Sequence, residues 1–115
     1  MGKPPLMGRL TIRELQFLNQ QRCIRTDAFA KCKDWAPADW LEALVGEVGE
    51  YANWSKKYKR GDISRAKFLT EAAKELADVQ CYLTLLADSL HTNLEQAVIE
   101  KFNEVSERVD SPIRL

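Results

Sequence analysis

The sequence has little that would bind a soft metal or cross a membrane. It contains one histidine, His91, and three cysteines, Cys23, Cys32 and Cys81, none of them in a C-x-x-C pair. That spacing argues against a Cys/His zinc site. An odd number of thiols fits a reducing, cytoplasmic setting better than a disulfide framework. No apolar run approaches bilayer-spanning length, and the opening Met1-Gly-Lys-Pro-Pro-Leu-Met7 lacks the apolar centre of a secretory leader. Neither sign of charge is in excess, because 17 Lys and Arg balance 17 Asp and Glu. Bulk electrostatic attraction is thereby excluded, so neither a membrane partner nor stable nucleic-acid binding is expected. The four prolines (Pro4, Pro5, Pro37 and Pro112) lie near the ends or in a connection, which leaves long stretches free for helix. Strand patterning is absent.

What is present is ordinary globular composition, 45% hydrophobic and 30% charged over 115 residues. This predicts one domain over 1–115, with 1–10 a flexible N-terminal segment. Thr11-Ile-Arg-Glu14 has capping-box form, so a first helix starts there and runs into the low twenties. Residues 25–34 show no clean periodicity and read as a loop. A second helix opens at Pro37 and runs to about Arg60, where Gly61-Asp62 supplies the stop. A third covers Ser64 to Leu90, and Thr92-Asn-Leu-Glu95 caps a fourth that fades near Val109. The expected fold class is all-α: a four-helix, bundle-like domain, small enough that oligomerisation is expected to complete its core.

The informative feature is a set of acids on the wrong face. On a helical wheel, Leu44, Val48, Tyr51, Trp54 and Tyr58 fall within roughly 80° of Trp40, and Glu47 falls among them with Glu50 at the edge. In the third helix the stripe of Phe68, Ala72, Leu76, Val79, Tyr82, Leu83, Leu86 and Leu90 contains Glu75, with Asp78 at its edge. Two helices thus each point an acidic i, i+3 pair inward. Four ionised carboxylates in a partly buried space would cost several kcal/mol per unpaired charge. Protonation, arginine pairing or bound cations can compensate, and an all-oxygen set suits Mg²⁺, with Mn²⁺ as a substitute. A bland reading, solvated helix residues, applies to either pair alone. The matching geometry on two helices favours a metal site.

Bases gather next to these acids at Lys56-Lys57-Tyr58-Lys59-Arg60, with Arg65 and Lys67 beyond the turn. Complementing the helix macrodipole explains several of them. Lys57, however, shares a helix face with Glu50, which also makes a cradle for a polyphosphate plausible. Trp54 and Tyr82 flank the acidic pairs and can stack on a nucleobase or serve simply as core aromatics. His91, at a helix junction, reads as structural.

Glu47-x-x-Glu50 followed by Glu75-x-x-Asp78 resembles the E-x-x-E…E-x-x-D signature of the MazG-like all-α nucleoside triphosphate pyrophosphohydrolases. Ala43-Leu-Val-Gly-Glu-Val-Gly-Glu50 is similar to the short, single-domain branch near the dCTP pyrophosphatases and phage-type relatives. The resemblance covers helices two to four. It implies hydrolysis of an NTP or dNTP between the α and β phosphates, for nucleotide-pool control, with Mg²⁺ held by Glu47, Glu50, Glu75 and Asp78. By the same resemblance Glu47 and Glu50 are the catalytic acids. Asn53, Lys56 and Lys57 align with positions that contact sugar or phosphates in similar proteins, and Tyr82 with a base-side aromatic; Trp54 and Arg60 are also expected in the substrate-binding set. Asn19-x-x-Arg22 resembles an N-x-x-R element of the short relatives and joins the substrate-binding set. Related proteins are homodimers or homotetramers. Two positions depart from the pattern: Gly46 stands where MazG proper has a second acid, and Lys57 where dCTP pyrophosphatases carry tryptophan. Outside the resemblance, a non-catalytic helical module that binds a nucleotide or a protein partner remains open, as does a purely structural role for the four acids.

Overall fold

The computed structural model describes residues 9–115, so most of the segment 1–10 lies outside the described residues. Four α-helices follow one another: α1 (Ile12–Arg25), α2 (Pro37–Lys59), α3 (Arg65–Ser89) and α4 (Leu94–Arg108). The described residues contain no strand, and none of their helices is long and apolar enough to cross a membrane. The expected loop at 25–34 is instead largely a 3-10 turn, Asp27–Cys32.

Local chemistry sets the boundaries. The Thr11 side chain accepts from the Glu14 amide at 3.0 Å, and Ser64 from the Lys67 amide at 3.1 Å, so each satisfies an amide that the first turn leaves without a partner. Pro37 opens α2, while the Asp39 carboxylate accepts from the Ala36 amide at 2.8 Å. At α4 the structure corrects the sequence reading by one residue. Asn93, not Thr92, is the cap, accepting from the Gln96 amide at 3.1 Å. Three helices stop the same way, with paired 6→1 and 5→2 hydrogen bonds around a left-handed residue. That residue is Gly61 after α2 (φ 79°), His91 after α3 (φ 54°) and Asp110 after α4 (φ 58°). The structural role expected for His91 is this backbone position.

α2 and α3 form an antiparallel hairpin that carries the site. Near the turn, Tyr58 stacks on Phe68 with centroids 4.8 Å apart and planes at 3°, and Tyr51 tilts onto the same ring at 6.2 Å. At the far end Trp40 meets Tyr82 at 6.2 Å and Trp35 at 4.6 Å. α1 crosses α3 and is locked to it by buried Asn19. Gln16 clamps the α3–α4 connection, donating to the Thr92 carbonyl at 2.7 Å and accepting from the Leu94 amide at 3.1 Å.

The core is thin. Trp40, Ala72, Leu85 and Ala87 are its buried apolar residues, whereas Val48, Leu76 and Leu90, expected inside, are 47%, 57% and 55% exposed. A helical wheel gives the direction of a side chain, not whether anything lies there to meet it. α1 covers only one end of the hairpin's surface. The radius of gyration, 16.9 Å, exceeds the ~13 Å usual for a compact chain of this length.

The left-handed positions make a direct test. Gly61→Ala should lower unfolding stability by about 1 kcal/mol, while His91→Gly should leave it unchanged or raise it by several tenths. Urea titration of the two variants reads both signs.

Candidate active site

Between the two aromatic ends of the hairpin, Glu47 of α2 faces Glu75 and Asp78 of α3. One carboxylate oxygen from each lies within 4.8 Å of the other two. Glu47 and Glu75 are half-buried and Asp78 is exposed. Packing forces them together, because the apolar stripes on both sides of these residues close the hairpin and carry the acids with them.

The electrostatic consequence is plain. Burial pushes the Glu47 carboxyl up to about 7 from its ordinary 4.5, helped by a hydrogen bond with Glu75 and by the negative charges of Asp78, Glu75 and Glu50. One Glu75 oxygen, Oε2, is buried with no hydrogen-bond partner in the protein. An orphaned carboxylate oxygen beside two further acids is the donor set that a hard divalent cation satisfies. Glu50 is exposed and outside the tight group, yet close enough for its charge to be felt at Glu47.

Asp78 also borders a slot of about 160 Å³, whose lining includes Arg22, Phe29, Trp40, Tyr82 and Leu85. All three thiols, Cys23, Cys32 and Cys81, line it too and are free. Burial pushes the Tyr82 phenol above its usual range, and the charges of Glu47 and Asp78 push it further. Burial likewise raises the Cys23 thiol, with Cys32 next in importance, so neither group ionises readily. Arg22 lines this slot, and its guanidinium carbon lies 5.9 Å from the Phe29 ring centroid. The thiols, Phe29 and Trp40 are lining residues that the sequence reading does not find. A density of aromatics at Phe29, Trp35 and Trp40 is the one signal that points to them.

No protein-family profile matches the chain. It is 39% identical over 88 residues to dCTP pyrophosphatase 1 of Mus musculus and 38% identical over 88 residues to dCTP pyrophosphatase 1 of Rattus norvegicus. Each match covers 70% of this chain and 52% of the relative, so the chain spans about half the length of those relatives. The chain belongs to the MazG-like all-α family.

In this MazG-like chain the expected basic cluster divides. Lys57 Nζ lies 4.6 Å from the Trp54 ring centroid, and Lys67 Nζ of α3 lies 5.7 Å from the same centroid. Lys56 and Arg60 instead line a separate surface groove with Tyr51, Ala52, Ser55 and Lys59. Arg60 is already paired with Asp62 at 2.9 Å. Asn53 is exposed on α2, one turn beyond Glu50. Lys67 belongs with Lys57 by position, although the sequence separates them by a turn.

Titration of Glu47 gives a signed expectation. A folded-state pKa raised from 4.5 to about 7 stabilises the fold fully below 4.5, and that contribution is lost as pH rises through about 7. In chelator, the melting temperature should therefore fall across this window, and Glu47→Gln should flatten the fall. Mg²⁺ should raise the midpoint more at the alkaline end, since cation and proton compete for the same oxygens. A midpoint that does not change across the window in chelator would contradict the assignment.

Proposed function

We propose that the chain hydrolyses a nucleoside or deoxynucleoside triphosphate at the α–β phosphate bond, giving a monophosphate and pyrophosphate. The observation that carries this reading is the mutually close Glu47, Glu75 and Asp78, with its orphaned Glu75 oxygen, beside an aromatic slot. The relatives named for dCTP support it. Their name suggests a deoxynucleotide substrate and a role in control of the nucleotide pool.

Glu47, Glu75 and Asp78 would hold Mg²⁺, or Mn²⁺ in its place, with Glu50 alongside. When bound, the cation neutralises phosphate charge and lowers the pKa of the attacking water. The side chains supply the rest. Glu47, central among the acids, orients that water and takes its proton, with Glu50 next to it on α2. Lys57 and Lys67, about two turns along their helices from Glu50 and Glu75, present two ammonium groups over Trp54 to the phosphates. Asn53, Lys56 and Arg60 extend the polar surface of α2 toward sugar and phosphate. Trp40, Phe29 and Tyr82 give the slot flat walls suited to a base.

A second copy of the chain completes the fold in this reading, as a dimer or tetramer. Leu41, Val45 and Val48 of α2 and Leu69 and Leu76 of α3 are between 47% and 57% exposed, an apolar face large for a monomer. Gly46 and Gly49 lie on α2 with nothing within 4 Å of a built Cβ. Mid-helix glycines cost roughly 0.5–1 kcal/mol each relative to alanine, and this chain's own packing does not require them. Three free thiols fit a reducing cytoplasm.

Purified protein incubated with Mg²⁺ and each common NTP and dNTP should release pyrophosphate from at least one. Glu47→Gln and Asp78→Asn should each reduce that release by about 100-fold or more. A folded wild type that releases none, while still binding nucleotide, would establish the non-catalytic module instead. Sedimentation should show a dimer or tetramer, with Leu76→Glu shifting it toward monomer.

A further inference from the structure

Asn19 is 4% exposed, and its side-chain amide is engaged inside the protein at both ends. Its Nδ2 donates to the Cys81 carbonyl oxygen at 2.9 Å and to Thr84 Oγ1 at 3.1 Å. Thr84 has no exposure at all and donates its own hydroxyl to the same Cys81 carbonyl at 2.7 Å. The Cys81 carbonyl can only accept, and the Thr84 proton is already directed at it. The amino end of Asn19 must therefore face α3, which leaves its oxygen turned the other way. That oxygen accepts from Arg22 Nη2 at 3.1 Å.

Arg22, one turn beyond Asn19 on α1, is exposed at the mouth of the slot and forms no ion pair among the described residues. Its orientation comes from a neutral oxygen on one side and the Phe29 ring on the other. A carboxylate partner would hold the guanidinium as firmly but would consume its charge and two of its donors. A neutral partner fixes the direction and leaves the remaining N–H groups available.

We propose that Asn19 is a positioning residue. It ties Arg22 to the rigid Cys81–Thr84 segment of α3, so that the guanidinium points its free donors at carbonyl or ring-nitrogen acceptors on the edge of a base in the slot. This rests on reading the slot as the nucleobase site. Phosphate is the wrong occupant, because aromatic rings, Leu85 and thiols line the slot and most phosphate oxygens would face groups that cannot donate strongly. The assignment also changes the meaning of Asn19-x-x-Arg22. One residue of the pair meets the ligand, and the other aims it.

The test is a double-mutant cycle on Asn19→Ala and Arg22→Ala. It is read by quenching of tryptophan fluorescence on binding the α,β-methylene triphosphate of each common base, and by KM and kcat. Arg22→Ala should weaken binding of the preferred analogue by about tenfold or more, and Asn19→Ala by about tenfold through KM with kcat little changed. In the Arg22→Ala background, Asn19→Ala should add no more than about twofold, because the residue it acts through is gone. Thr84→Ser should bind as wild type and Thr84→Val should move toward Asn19→Ala. The Thr84→Val cycle with Arg22→Ala replaces the first if Asn19→Ala does not fold. Equal losses in both backgrounds would show a merely structural asparagine and overturn the proposal, as would a wild type that binds none of the analogues. A wild type that binds them with this coupling but releases no pyrophosphate from natural triphosphates would refute the hydrolase reading and leave the Asn19 assignment standing.

Discussion

Repulsion among the acids at the α2–α3 seam is the constraint on which the rest of the structure turns. Glu47, Glu75 and Asp78 bring carboxylate oxygens within 4.8 Å of one another, in a place where burial already disfavours charge. Left to themselves these groups would separate or take up protons. They are held by the hairpin, with Tyr51, Tyr58 and Phe68 packed at one end and Trp35, Trp40 and Tyr82 at the other. Apolar contact thus maintains a concentration of negative charge that a divalent cation would relieve. On the proposed function, stability given up at the seam becomes affinity for that cation.

The same hairpin places the slot. Asp78 belongs to both the acid group and the slot lining, so a ligand seated in the slot lies next to the acids without any separate domain. α1 and the 3-10 turn close the slot from the side, with Arg22, Cys23, Phe29 and Cys32. Ammonium groups come from both arms of the hairpin, Lys57 on α2 and Lys67 on α3, meeting at Trp54. Each arm therefore contributes an acidic pair and a cation.

Helix positions were legible because they are written in local chemistry: Thr11 as a cap, Pro37 at a first turn, Gly61 at a stop. The inward acids were legible for a related reason, since a charge on an apolar stripe stands out at any spacing of 3.6. What could not be read depends on contacts far apart in the chain. Asn19 and Thr84 are 65 positions apart, and nothing local marks them as partners. The slot joins Cys23, Cys32 and Cys81 from three elements, and cysteine spacing had excluded only zinc. Val48 and Leu76 lie on stripes that look like core, yet they stay exposed because α1 and α4 pack elsewhere. His91 takes a backbone conformation that sequence reserves for glycine, and only the hydrogen bonds around it reveal the role.

Calorimetric titration of Mn²⁺ into the protein, repeated in two buffers of different ionisation enthalpy at about pH 6, tests the central claim most directly, because metal binding must displace a proton from a carboxyl still protonated there. The account predicts saturable binding with proton release, and loss of that release in Glu47→Gln. Binding without proton release in the wild type, or no binding at all, would contradict it.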